Sequence, residues 1–580
     1  MVLPAFHRQH SPPELIANTS LGAIQGTISA NARAWLRVPY AEAPLGSRRW
    51  QPPVSKLPWQ STADATAFGP ACAQPPGFDP PLTSTAEDCL TMAVYAPLAN
   101  AALAPVLVYF HGGSFLNGGA AEARLNASLL VQRYHGEIVV AVVQYRLGVL
   151  GFLGADALRG RGGDKSTGNY GLQDQRESLR FLRQHAAAFG GDPSQITIAG
   201  QSAGAGCTSV HVVSRRSASL FDRAVLWSGA FSDWIAARMP LQEAVFSSIY
   251  QELCGSGAAP AAHSVEAAQG VGGAPPAFAL GCLEQADVDA LVEVAQRAAD
   301  TLCGWHACLQ ATIDDVELTD HPRSLFANAS SVLGGLPLLL GATLDEGEGF
   351  DAGAALAAAA TPAQAQAWLG AEYALNSSMS ASLYELYAPI AMPRPAAGAS
   401  AAYVVAEWVE TDQSMFCGAR RAAARTASIG RAPAYLYRFA RGVGGSPWSH
   451  HSDDIPFWFG ALEAVAAAGG DGDDAALASA MATHLVKFTR TGAPAAAWVP
   501  FRLESPASLR FDAAAGGGAR GLNVTIEVDA NAAQCAFWDL HPYFDQESLR
   551  ARKAEAIRQK GRTTRPLQLQ RITRSTERAR

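Results

Sequence analysis

Short runs of β-branched and aromatic residues recur along this chain, with longer stretches of helical character between them. The clearest are Val106–Phe110, Ile138–Tyr145, Ile196–Ala199, Ala224–Trp227, Leu336–Leu340 and Ala434–Phe439. Strands alternating with helices predict an α/β architecture, a large, mostly parallel, twisted central sheet flanked by helices. Gly, Ser or a charged residue follows each run, and open α/β sheets take their ligands at the carboxyl ends of strands. Chemistry is therefore expected at those ends. Two Ala/Gly-rich stretches, Ala352–Ala360 and Ala464–Ala482, read as surface helix or loop. No internal repeat is visible, and no apolar stretch reaches the roughly 18 residues of a membrane-spanning helix.

Composition narrows the class without naming it. Apolar residues make up 49% of the 580 positions and charged residues 16%, enough for a large core and unlike a disordered or nucleic-acid-binding chain. The formal net charge of −7 is small for this length, so no overall field steers the protein toward nucleic acid or a membrane surface. From Arg550 onward Arg and Lys crowd a tail with almost no aromatics, which reads as disordered and solvated. Met1 to Leu15 has no apolar run of signal-peptide length, so no secretory signal is visible. Nine cysteines lie mostly as distant singles without a Cys-X-X-Cys pair, a pattern that favours bridges over a metal site. Asn-X-Ser/Thr triplets at Asn18, Asn126, Asn328, Asn376 and Asn523 fit a secreted glycoprotein.

The chemistry centres on Gly200-Gln201-Ser202-Ala203-Gly204, directly after the run Ile196–Ala199 and before a small-residue segment able to start a helix. In such an elbow the serine occupies a strained turn that very small neighbours alone can surround, and its hydroxyl is lifted out of the sheet. The bare pattern is weak, since chance gives roughly a third of a copy in a chain this rich in glycine and serine; the strand-turn-helix context decides. Upstream, Val106–Phe110 runs into His111-Gly112-Gly113-Ser114-Phe115. The glycines there can aim the N–H groups of Gly112 and Gly113 into the site, where with the N–H of Ala203 they would hold an oxyanion. The bland alternative is a simple glycine turn.

These and several further stretches make the chain resemble the type-B carboxylesterase and cholinesterase family, an α/β-hydrolase fold. The matching segments are Val38-Pro39-Tyr40-Ala41-Glu42, Glu87-Asp88-Cys89-Leu90, Tyr145-Arg146, Asn169-Tyr170-Gly171-Leu172-Gln173-Asp174-Gln175 and Phe189-Gly190-Gly191-Asp192-Pro193. The resemblance runs over roughly Thr19 to Tyr543 and implies a hydrolase domain at 19–545, between an N-terminal extension (1–18) and the basic tail (546–580). It implies a Ser-Glu-His catalytic set in that chain order. The acid is then Glu346 in Leu344-Asp345-Glu346-Gly347, with Asp345 and Glu348 as competitors. The base is His451, counted back from Phe459-Gly460, with His450 as its rival; Asp454 stands where the family often has Glu. The resemblance also implies bridges Cys72–Cys89, Cys254–Cys282 and Cys417–Cys535, with Cys303–Cys308 as an extra local one. Cys207 is left as a buried thiol, and Arg49 with Glu87 and Arg146 with Asp174 become structural ion pairs.

The implied function is a serine hydrolase that cleaves small carboxylic esters through an acyl-enzyme, with no metal or organic cofactor and no nucleic-acid partner. Substrate is less defined. Cholinesterases bind a quaternary ammonium on an aromatic platform between the first bridged cysteines, and Cys72 to Cys89 offers Phe78 and no Trp. Gln201 stands beside the nucleophile where those enzymes carry an anionic Glu. A neutral ester is favoured over a choline ester, with a lipase acting on acylglycerols or a catalytically silent adhesion or binding protein of the same fold as alternatives.

Overall fold

Eleven strands form one sheet in the computed structural model of this protein, which describes residues 15–76, 84–99, 102–134, 136–255, 280–303, 308–328, 335–350, 355–391, 398–461, 472–513 and 522–540. The basic tail, most of the N-terminal extension and Phe78 lie outside the described residues. Along the chain the strands are β1 (Thr27–Ser29), β2 (Ala32–Pro39), β3 (Thr91–Pro97), β4 (Ala104–Phe110), β5 (Val139–Val143), β6 (Gly191–Gln201), β7 (Arg223–Trp227), β8 (Leu338–Thr343), β9 (Ala434–Phe439), β10 (Ala507–Ala513) and β11 (Leu522–Val528). Their spatial order is β11-β10-β9-β8-β7-β6-β4-β5-β3-β2-β1. From β10 through β5 neighbouring strands run parallel, and antiparallel strands extend both flanks. This is an α/β-hydrolase sheet with helices on both faces.

Helices cover the central strands on both faces, so those strands read as continuous apolar runs. Every residue of β4 and β5 is buried. On β4, Val106, Val108 and Phe110 enter one core while Leu107 and Tyr109 enter the other, the period of two that a pleated strand imposes. At one flank β10 and β11 stayed hidden in the sequence because polar residues interrupt them: Arg510 and Asp512 on β10, Asn523, Thr525 and Glu527 on β11. Two run boundaries shift. The strand expected over Ile138–Tyr145 ends at Val143, and soon after it the backbone N–H of Arg146 turns to Asp174 Oδ2 at 3.1 Å. The run Leu336–Leu340 becomes Leu338–Thr343, because Pro337 has no N–H to give to a ladder.

One expectation is corrected. The described part of Ala464–Ala482 is not surface: it begins the helix Gly472–Thr491, whose Leu477, Ala478, Met481, Ala482 and Leu485 are fully buried in the core. Those positions recur at the spacing of one helical face, which alanine-rich composition masks.

Bridges join Cys72 to Cys89, Cys254 to Cys282, Cys303 to Cys308 and Cys417 to Cys535. Cys207 is a buried free thiol that burial pushes up to about 12, so it is inert at neutral pH. Arg49 grips Glu87 with two bonds of 2.6 Å and also donates to the carbonyls of Leu283 and Ala286. Arg146 grips Asp174 in the same forked manner at 2.8 and 2.7 Å. The second pair ties the chain leaving β5 to the helix Tyr170–His185. In the sheet, Gln201, Trp227, Gly341 and Tyr437 lie side by side across β6, β7, β8 and β9, and Phe110 of β4 lies beside Gly200. The segments that follow these residues therefore emerge along one edge.

Candidate active site

Ser202 sits between β6 and the helix Ala203–Val213, with φ 56° and ψ −126°. An L residue adopts that conformation under strain. Its N–H donates to Trp227 O on β7 and its C=O accepts from Gly206 N, both at 2.9 Å. The helix crosses so close to β4 that a Cβ on Gly204 would lie 2.0 Å from Phe110 O; glycine alone fits. The serine is 9% exposed.

Opposite it, the chain leaving β4 forms the glycine segment. Gly113 has φ 106°, and a Cβ there would lie 2.1 Å from Asn117 O. Tyr145 Oη donates to His111 O at 2.6 Å, and the two rings stack at 4.6 Å, which anchors the start of the segment. A Cβ on Gly112 would approach Ser202 Cβ to 3.1 Å, so the segment lies against the elbow. None of the N–H groups of Gly112, Gly113 and Ala203 donates to an acceptor among the described residues. Three free donors beside the nearly buried Ser202 form an arrangement able to hold an oxyanion.

The carboxylate and the imidazole come from the ends of β8 and β9. Glu346 is fully buried in a tight turn, Glu346–Gly349. One of its oxygens accepts the N–H of Thr343 at 2.8 Å, and the other bonds His451 Nδ1. Phe350 packs edge-on to the His451 ring at 4.9 Å. The competing groups have other partners. Asp345 accepts from Trp408 Nε1 at 3.0 Å and from Ser449 N at 2.9 Å, so it staples the turn to the histidine loop. His450 lies between Glu348, at 2.9 Å from its Nε2, and Asp453, at 3.3 Å from its Nδ1. Hydrogen bonds to those two carboxylates hold its pKa up at about 10.

His451 Nε2 meets not Ser202 but the side-chain amide of Gln201, at 3.0 Å. Ser202 Oγ has no hydrogen-bond partner among the described residues. Apo sites often hold such contacts open. The Gln201 contact and the Asp345 staple had no signal in the sequence beyond adjacency, because both depend on side-chain direction across the fold.

Asp454 lies beneath this cluster, fully buried, accepting from Tyr437 Oη at 2.6 Å and Trp458 Nε1 at 3.2 Å through one oxygen. Its other oxygen has no partner among the described residues. Burial, reinforced by the Glu346 charge, raises its pKa from 3.8 to about 6. A carboxyl that binds its proton more tightly when folded stabilises the protein below the unfolded value near 4, and that contribution is lost as pH rises through about 6. Asp454→Asn keeps an acceptor for Tyr437 and cannot ionise. Its melting temperature is therefore expected to exceed the wild-type value above pH 6 and to converge on it near pH 4, in paired thermal melts. A constant offset across that range would contradict the assignment.

Among the described residues the one group of His, Cys, Asp or Glu atoms close enough to share an ion is Asp412, Cys417 and Cys535. The two sulfurs are joined to each other, and Asp412 is engaged by Asn531 and Tyr387. Such a set does not suit a metal.

A hydrolase sheet bearing a serine elbow at its carboxyl edge is the frame of a serine hydrolase, and the family match makes it a hydrolase of carboxylic esters. The chain belongs to the carboxylesterase family, whose model matches residues 13–538. It is 28% identical to para-nitrobenzyl esterase of Bacillus subtilis (strain 168) over 531 residues, covering 89% of this chain and 96% of that protein. Shorter matches include acetylcholinesterase of Bungarus fasciatus, 36% identical over 37% of each chain. Neuroligin-2 of Homo sapiens is 34% identical over 39% of this chain and 32% of its own length. No described helix is long and apolar enough to cross a membrane.

Proposed function

We propose that Ser202 is the nucleophile of a two-step ester hydrolysis, with His451 as general base and acid and Glu346 as its orienting carboxylate. The observation that carries this reading is the bond from His451 Nδ1 to buried Glu346 beside a strained serine. With its hydrogen held on Nδ1, the imidazole keeps a lone pair on Nε2 to take the Ser202 proton as oxygen attacks the ester carbonyl. Gly112, Gly113 and Ala203 N–H groups stabilise the oxyanion. His451 then returns the proton to the departing alcohol, and water repeats the sequence on the acyl-enzyme.

The substrate is an uncharged carboxylic ester, as the name of para-nitrobenzyl esterase also suggests, because the side chain next to Ser202 is the neutral amide Gln201 rather than an anion that would attract a cation. Four disulfides favour an oxidising compartment such as the secretory pathway. The test is hydrolysis of short- and long-chain p-nitrophenyl esters, with and without a fluorophosphonate, followed by mapping of the modified residue. Turnover of short esters with label on Ser202 is expected. Activity that rises sharply at an oil–water interface would favour a lipase, and absence of both turnover and label would remove the catalytic reading.

Gly113→Ala is expected to lower kcat about 100- to 1,000-fold, the usual cost of one oxyanion donor, since the new Cβ would collide with Asn117 O. Steady-state kinetics on a variant shown to be folded, with a melting temperature lowered by the strained backbone, would check it; a wild-type kcat would exclude Gly113 from the hole.

A further inference from the structure

Gln201 is the last residue of β6, the immediate neighbour of Ser202, and 1% exposed. A buried amide needs partners, and the partner its Nε2 has is His451 Nε2, at 3.0 Å. Donor and acceptor follow from the opposite side of the ring. The Glu346 carboxylate can only accept, so the hydrogen shared with it sits on His451 Nδ1, and Nε2 presents its lone pair. The amide therefore donates N–H to that lone pair. Neutral imidazole has one such pair, in the plane of the ring, and cannot accept from Gln201 and from the Ser202 hydroxyl at once.

We propose that Gln201 is a positioning residue that holds His451 in an idle hydrogen bond, so that the base reaches Ser202 when an incoming acyl group displaces the amide. This rests on the catalytic reading given above. The amide is chemically suited to the task and a carboxylate is not: ionised Glu has no hydrogen to give to a lone pair. Gln201 Oε1 also lies 2.8 Å from where a Cβ on Gly112 would stand, so the amide rests against the segment on which the substrate carbonyl must settle. Occupation of that segment and release of the imidazole are thereby coupled.

The test is the pre-steady-state reaction with a small uncharged fluorophosphonate, which separates reversible binding from phosphonylation. Gln201→Met removes the donor at nearly constant length. Because the bond must break either on binding or on attack, it is expected to raise the second-order labelling rate, the phosphonylation rate over the reversible binding constant, roughly two- to tenfold, the span of one ordinary hydrogen bond. In protein labelled with ¹⁵N-histidine, the His451 Nε2 resonance should move toward that of an unbonded lone pair. If the Met variant fails to fold, Gln201→Asn, whose shorter amide falls short of the ring, takes its place with the same expectation. An unchanged or slower second-order labelling rate, or an unmoved resonance, would overturn the inference while label on wild-type Ser202 left the catalytic reading standing. A wild-type protein that takes no label at Ser202 would instead remove both.

Discussion

Replacement of His451 by alanine is expected to lower kcat toward a p-nitrophenyl ester by about a million-fold, the scale seen when a serine hydrolase loses its base, whereas His450→Ala should keep most of the turnover. The two residues are adjacent, yet their surroundings oppose each other. His451 is bonded to buried Glu346 and lies 3.0 Å from the amide next to Ser202. His450 faces Glu348 and Asp453, and with its pKa held at about 10 it is protonated at neutral pH and has no lone pair to receive a proton. What His450 contributes is attachment of the loop. Its raised pKa makes that contribution full below about 6.5 and lost as pH climbs through about 10, so the His450→Ala defect should show in melting temperature at neutral pH and shrink in strong alkali. Equal losses of turnover in both variants would deny the division of roles, and a greater loss at His450 would reverse it.

Glu346→Gln is the second large effect, with a loss of about ten-thousand-fold in kcat and folding retained, as when the orienting carboxylate of a triad becomes an amide. The side chain has two tasks: one oxygen accepts Thr343 N–H and the other accepts from His451 Nδ1. An amide can satisfy one and must point its NH₂ at the other. If it keeps Thr343, it offers hydrogen to Nδ1 and drives the imidazole to the tautomer whose Nε2 is already protonated. Glu348→Gln should leave kcat within a few-fold of wild type. Asp345→Asn should sit between, since Asp345 touches Ser449 and Trp408 rather than the imidazole. Steady-state kinetics on the three variants orders them; a Glu348 variant worse than the Glu346 variant would overturn the assignment.

Legibility in the sequence followed physical range. The central strands could be read because double burial makes their runs apolar, while β10 could not, because Arg510 and Asp512 break its run. The elbow was legible because glycine spacing is local chemistry. Glu346 and His451 lie 105 residues apart, and nothing in local pattern joins them; resemblance to a family named them, with Asp345, Glu348 and His450 left as rivals. The helix Gly472–Thr491 was misread because alanine carries little hydrophobic contrast, although its face is wholly buried. Gln201 was noticed for its missing charge and not for its reach, which depends on the path of a buried side chain.

The alignment of Gln201, Trp227, Gly341 and Tyr437 makes the sheet a ruler. The strand that presents Ser202 and the one that presents Glu346 stand two places apart, about 10 Å at ordinary strand spacing, and backbone hydrogen bonds rather than side chains hold that gap. Trimming a core residue would leave the interval intact, but a one-residue slip of β8 against β7 would carry Glu346 about 3.3 Å past Ser202 and turn every side chain on that strand to the opposite face. Lesions that disturb strand alignment should therefore silence the protein well before they unfold it.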